Sequence, residues 1–131
     1  MKKIAFICVH NSCRSQIAEA LAKKYCNDSF DIYSCGTEIK NSINSDAVRI
    51  VKNMYEIDMT KTQYPKLFED IPQCDIYISM GCNVQCPFIP NAENINWGLE
   101  DPTGKDDKEF IKIIKIIEDK VLKLKGEITN N

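Results

Sequence analysis

Apolar and polar positions along this chain alternate between two rhythms. Residues 3–8 (KIAFIC) form an apolar run of strand length. From Ser12 or Arg14 to about Cys26, the apolar positions Ile17, Ala18, Leu21, Ala22 and Tyr25 recur at helical spacing. Residues 30–35 (FDIYSC) alternate as a second strand, and Gly36 closes it. Ser45 reads as the N-cap of a helix carrying Ala47, Val48, Ile50, Val51 and Met54. Pro65 is placed to open a short helical stretch, PKLFED, because proline fits a first turn. Residues 75–80 (DIYISM) are a third strand, and ENINW holds a short fourth. The tail is the clearest element. From Asp106 to about Lys125, Phe110, Ile113, Ile114, Ile117, Val121 and Leu124 make one apolar stripe, with acidic residues at its start and lysines toward its end.

Strands alternating with helices predict an α/β fold with a mainly parallel sheet covered on both faces. At 131 residues the chain is expected to be one domain, 1–131, with its own core. The formal charge of -2 supplies no basic field, so nucleic acid is discounted as a partner. No apolar run approaches a membrane span, so a membrane is discounted as well. The opening MKKIAFIC has the lysines of a signal peptide but lacks its cleavage site, and the cytoplasm is the expected compartment. Seven cysteines change the picture more. An odd number cannot all pair within one chain, and in a reducing compartment such residues point to catalysis, redox chemistry or metal binding.

The first strand ends in Cys8, and CVHNSCRS runs from it into the first helix. In parallel sheets, sites lie at the carboxyl edge of the strands. The backbone N–H groups of Val9, His10, Asn11, Ser12, Cys13, Arg14 and Ser15 are placed to curl around an anion, with the helix dipole behind them. The Arg14 guanidinium offers a planar fork for two oxyanion oxygens. The same field favours the thiolate form of Cys8, to which Ser15 can donate its hydroxyl. Asn11 tolerates the left-handed backbone that a tight loop needs. A buried cysteine on its own usually just packs. A thiol and a guanidinium at C-x5-R-S spacing, between a strand and a helix, instead describe a site that holds a tetrahedral oxyanion and attacks it. His10, the chain's single histidine, reads as side-chain support for the loop. Later in the chain, LEDPTGK places Asp101 before Pro102, which restricts Asp101 to extended backbone. Taken locally, that Asp-Pro-x-Gly stretch is a solvated turn.

CVHNSCRSQIAEA, together with YSCG and NWGLEDPTGK, resembles the low-molecular-weight protein tyrosine phosphatase superfamily, and in particular its arsenate reductase branch. The resemblance covers nearly the whole chain. It implies a four-stranded parallel sheet flanked by helices, chemistry on arsenate or phosphate-like oxyanions, and a general-acid role for Asp101. It also gives meaning to Cys82 and Cys86 in SMGCNVQCPFIP, which lie at a spacing a disulfide can close. A phosphatase needs one cysteine, whereas a reductase must discharge electrons as a disulfide. The implied reaction is a relay: Cys8 attacks arsenate, Cys82 attacks Cys8, and Cys86 attacks Cys82. The implied reductant is thioredoxin, or another small thiol reductant such as glutaredoxin. Thioredoxin-coupled members carry more residues between the second and third cysteines than the three found here. No bound cofactor is expected, and a monomer is.

Members of that branch can hold a potassium ion beside the loop. Asn11, Glu19 and Ser34 match three of its supporting positions, but Pro65 and Lys66 stand where the remaining carboxylate is expected. The Lys66 charge can replace the ion, so no metal is predicted. Zinc usually takes a tighter C-x2-C pair with a second pair, which this chain lacks. Cys13 reads as structural or a minor redox partner, and Cys26, Cys35 and Cys74 as packing residues. Two other readings remain. A tyrosine phosphatase uses the same loop, but usually carries aromatic residues after the Asp-Pro, where this chain has Thr103, Gly104 and Lys105. A thiol sensor binding arsenite would have no use for an oxyanion loop.

Overall fold

A computed structural model describes residues 1–38, 40–81 and 88–129. Its elements are β1 (Lys2–Cys8), α1 (Arg14–Cys26), β2 (Phe30–Gly36), α2 (Ser45–Tyr55), β3 (Ile76–Ser79), β4 (Glu93–Asn96) and α3 (Asp107–Thr129). Two single 3₁₀ turns, Met59–Lys61 and Phe68–Asp70, lie between α2 and β3. The four strands form one parallel sheet in the order β2-β1-β3-β4. β1 is interior, and its last residue, Cys8, pairs with Gly36 at the carboxyl edge. The expected α/β architecture with a single parallel sheet is the one observed.

The two faces of the sheet are covered unequally. Ile4, Phe6 and Cys8 point into a large cluster that takes in the buried residues of α1, α2 and α3. Phe110, Ile114, Ile117 and Val121 of α3 are fully buried there. Each such side chain contributes about 1.5–3 kcal/mol by leaving water, so this face carries most of the stability. Ala5 and Ile7 point to a smaller cluster with Cys35, Cys74 and Tyr77, packed by Phe68, Ile71 and Ile89. The sequence predicts helices on both faces. Among the described residues, this second face is instead closed by a 3₁₀ turn and loops.

Three element starts differ from the sequence reading. Asn44, not Ser45, caps α2: its side chain accepts the Ala47 N–H at 3.0 Å. Asp106 is the cap of α3 rather than its first residue, accepting the Glu109 N–H at 3.1 Å. The stretch at Pro65 is not helical until Phe68. Its backbone is held extended against the sheet, where Lys66 donates its N–H to Asn11 Oδ1 at 3.0 Å and accepts the Gly36 N–H at 2.8 Å. Leu67 then bridges Gly36 as an added parallel rung.

Candidate active site

Between β1 and α1 the chain turns through Asn11, whose φ of 52° is left-handed as the loop requires. The Val9 carbonyl is fixed by the N–H groups of Thr37 and Glu38 at 2.9 and 2.8 Å. Ser12 O accepts the Asn44 N–H at 2.7 Å, which ties the loop to the start of α2. Gly36 lies directly under the turn: a Cβ there would stand 2.7 Å from Val9 O and 2.9 Å from Asn11 N. The helix that follows has no side-chain cap at Cys13. Its first N–H groups are therefore available to an anion at the positive end of the helix dipole.

Cys8 Sγ is 2.8 Å from Ser15 Oγ, and Asn11 Nδ2 donates to the same hydroxyl oxygen at 2.8 Å. A second set of amides locks Asn11. Gln16 Nε2 donates to Asn11 O at 2.9 Å and to Asn11 Oδ1 at 3.0 Å, while Gln63 Nε2 donates to Gln16 Oε1 at 2.8 Å. Gln16 and Gln63 are buried, and nothing in the hydrophobic pattern announces them. Their signal is indirect: two uncharged amides at positions that packing would otherwise give to apolar residues.

Arg14 is buried, with Nη1 donating to the carbonyls of Met80 at 2.8 Å and Leu99 at 2.6 Å. These anchor one nitrogen of the guanidinium, and the rest of the fork is what the loop can offer an oxyanion. Gly81 makes this approach possible. Its φ is 114°, and a Cβ would stand 2.8 Å from Leu99 O and 3.1 Å from Arg14 Nη1.

Cys8, Arg14, Cys13 and Asp101 line one cavity of about 340 Å³, together with Val9, His10, Ser12, Lys40 and Thr103. Asp101 Oδ1 accepts the Thr103 N–H at 3.0 Å and the Thr103 hydroxyl at 2.7 Å. Burial acts to raise the Asp101 carboxyl, but these two hydrogen bonds, with the Arg14 and His10 charges, hold it below the usual range. His10 Nε2 lies 3.0 Å from Glu38 Oε2 at the rim, the supporting contact its loop position suggests. Lys40 and the Thr103 hydroxyl are members of the cavity that sequence reasoning does not single out.

Cys13 faces the same cavity, yet burial, with the neighbouring Asp101 carboxylate, pushes its thiol up to about 12. Burial likewise pushes Cys35 up to about 12 and Cys74 up to about 11. All three are free thiols that stay protonated near neutrality, as packing residues do. Cys82 and Cys86 lie outside the described residues. Among the described residues, no group of three or more His, Cys, Asp or Glu side chains is placed to hold a metal ion. No described helix is long and apolar enough to cross a membrane.

Residues 3–131 match the sequence profile of the low molecular weight phosphotyrosine protein phosphatases. The chain belongs to that family. Within it, the chain is similar to an arsenate reductase of Bacillus cereus (strain AH187), 34% identical over 116 residues that cover 86% of this chain and 85% of the relative. In three dimensions it is similar to an arsenate reductase in the phosphate binding state, with a TM-score of 0.85 and 30% identity over 98% of this chain and 99% of that one. It is also similar to a thioredoxin-dependent arsenate reductase from Corynebacterium glutamicum, with a TM-score of 0.78 and 29% identity over 98% of this chain and 62% of that chain.

Proposed function

We propose that this phosphatase-family protein reduces arsenate to arsenite, with Cys8 as nucleophile and Cys82 and Cys86 passing the oxidation to thioredoxin or another small thiol reductant. The observation that carries the reading is the cavity that joins Ser15-paired Cys8, anchored Arg14 and Asp101. Its described lining has no Phe, Tyr or Trp side chain to hold an aryl ester. Similarity to arsenate reductases over most of the chain supports the same reading.

In the first step Cys8 sulfur bonds to arsenic and one As–O bond breaks. The departing hydroxyl takes a proton and leaves as water. Asp101 is the group to pass that proton, because a negative oxyanion entering beside it opposes its ionisation. Cys82 thiolate then attacks the Cys8 sulfur. The S–As bonding pair moves onto arsenic, which falls from As(V) to As(III) and leaves as arsenite, and a Cys8–Cys82 disulfide remains. Cys86 attacks Cys82, freeing Cys8 as thiolate, and the Cys82–Cys86 disulfide takes two electrons from the external dithiol. No bound cofactor is needed. The cytoplasm, where thiols are kept reduced, suits this chemistry, and a single copy of the chain suffices for it.

The test is arsenite formation in a single turnover, with intact mass read before and after arsenate. Cys86→Ser should complete about one turnover and stall as the Cys8–Cys82 disulfide, two protons lighter and restored by thiol reagents. Cys82→Ser should lose multiple turnover while keeping any hydrolysis of p-nitrophenyl phosphate. Unchanged steady-state reduction in both variants would overturn the relay, and a wild-type protein that hydrolyses p-nitrophenyl phosphate but forms no arsenite would be the alternative, a phosphatase working through a Cys8 phosphoenzyme.

A further inference from the structure

Glu19 sits on α1 one turn beyond Ser15 and is only 3% exposed. A carboxylate this buried needs donors or a cation. It has two hydrogen-bond donors and a second ammonium close by. Ser34 Oγ donates to Oε1 at 2.5 Å, Lys23 Nζ donates to Oε2 at 2.5 Å, and Lys66 Nζ stands 3.6 Å from Oε1. The Lys66 side chain is 13% exposed, and its ammonium is steadied by the Tyr64 carbonyl at 3.1 Å and the Tyr64 ring at 5.0 Å.

The potassium ion that members of the resembled branch can hold would need the oxygens of Asn11, Glu19 and Ser34. Asn11 Oδ1 already accepts from Gln16 Nε2 and from the Lys66 N–H. The Ser34 hydroxyl is turned onto Glu19, and Glu19 faces two ammonium groups. These oxygens are engaged by hydrogen-bond donors and a positive charge stands among them, so the residues do not fit a cation.

We propose that Lys66 is a built-in cation: with Lys23 it neutralises the buried Glu19 carboxylate and holds the oxyanion loop in shape without a bound monovalent ion. Lys66 is suited to this because it joins the charge to the loop. Its ammonium meets Glu19, and its own backbone N–H holds Asn11 Oδ1. Asn11 Nδ2 in turn holds Ser15 Oγ, which meets Cys8 Sγ. Lys66 is thus a positioning residue, three hydrogen bonds from the reacting sulfur. The inference concerns the binding loop and stands whether the bound oxyanion is reduced or hydrolysed.

The probe is inorganic phosphate, with affinity measured by calorimetry and melting temperature by scanning, in potassium chloride and in tetramethylammonium chloride at equal ionic strength. For the wild-type protein both quantities should be the same in the two salts, to within about twofold in affinity. Lys66→Arg should behave as wild type. Lys66→Met, which keeps most of the chain length but not the charge, should bind phosphate about tenfold more weakly in tetramethylammonium. Lys66→Asp supplies a carboxylate in place of the ammonium, and its affinity should recover about threefold or more in potassium. A purely packing role for Lys66 would not create that selectivity for potassium. A potassium-specific gain in the wild-type protein would overturn the proposal, as would a folded Lys66→Met that binds phosphate like wild type. Should the variants fail to fold, the wild-type comparison of the two salts decides alone.

Discussion

The Ser15 hydroxyl oxygen stands 2.8 Å from the Cys8 sulfur and receives the Asn11 amide at the same distance. That second contact sets the direction of the first. With Asn11 donating into one lone pair, the Ser15 hydrogen is free to point at sulfur, and it must do so whenever Cys8 is a thiolate. Both residues are buried. The thiolate therefore has a fixed donor before any oxyanion arrives.

Ser15→Ala removes that donor without adding volume. A hydrogen bond to a charged group is worth about 1.5–3 kcal/mol, and that support for the reacting sulfur is what the variant loses. The expected outcome is slower alkylation of Cys8 by iodoacetamide at neutral pH, with phosphate binding reduced less. Ser15→Thr, which keeps a hydroxyl, should recover part of the rate. Equal alkylation rates in Ser15→Ala and wild type would show that the contact does not support the thiolate.

How much of this site is legible without coordinates depends on what each residue's partner is. Cys8 and Arg14 are readable because strand, loop and helix place them at one sheet edge, and the structure brings both to one cavity. Asp101 is readable only through resemblance, since locally it is a turn residue, and its Thr103 contact is the sort such turns make. The anchors of Arg14 are backbone carbonyls 66 and 85 residues away. Any side chain at Met80 or Leu99 would leave those carbonyls in place, so no pattern reveals them. Helix α1 has an apolar stripe, yet it is buried almost all round from Arg14 to Ala22. Ser15, Gln16 and Glu19 occupy its other faces at no loss because each meets a specific partner. Hydrophobic periodicity sees only the half of the helix that packs through apolar contacts.

Asp101 sets a second expectation, in pH. Its carboxyl is held below the usual range by Thr103 and by the Arg14 and His10 charges, against the opposing effect of burial. A lowered carboxyl favours the folded state above the unfolded value of about 3.9 and loses that contribution as pH falls through the folded value. Thr103→Val removes the hydroxyl bond and keeps the shape. The Asp101 titration, followed by carbon-13 resonance of the carboxyl, should move upward toward the ordinary range. The basic limb of any aryl phosphate hydrolysis, where a general acid loses its proton, should move in the same direction. A titration unmoved by Thr103→Val would mean that charge alone, not the hydroxyl, holds the carboxyl down.

Gly81 connects the strand edge to the arginine, and its substitution is the sharpest test of the Arg14 anchor. With φ at 114°, any L side chain is strained whatever space it finds, at a cost of about 1–3 kcal/mol. Space is also lacking. A Cβ would press to 2.8 Å from the Leu99 carbonyl and 3.1 Å from Arg14 Nη1, the two atoms that hydrogen-bond each other at 2.6 Å. The added atom must therefore push the guanidinium off its carbonyl or push the Leu99 backbone away. In either case the fork loses its fixed direction. Gly81→Ala should lower the melting temperature and weaken phosphate binding together, whereas Gly104→Ala, also at positive φ but with nothing within 4 Å, should lower stability alone. Calorimetric titration of phosphate into both folded variants separates strain from lost anchoring. If Gly81→Ala and Gly104→Ala lose the same stability and neither loses affinity, the contact between Arg14 and Leu99 does not set the oxyanion fork.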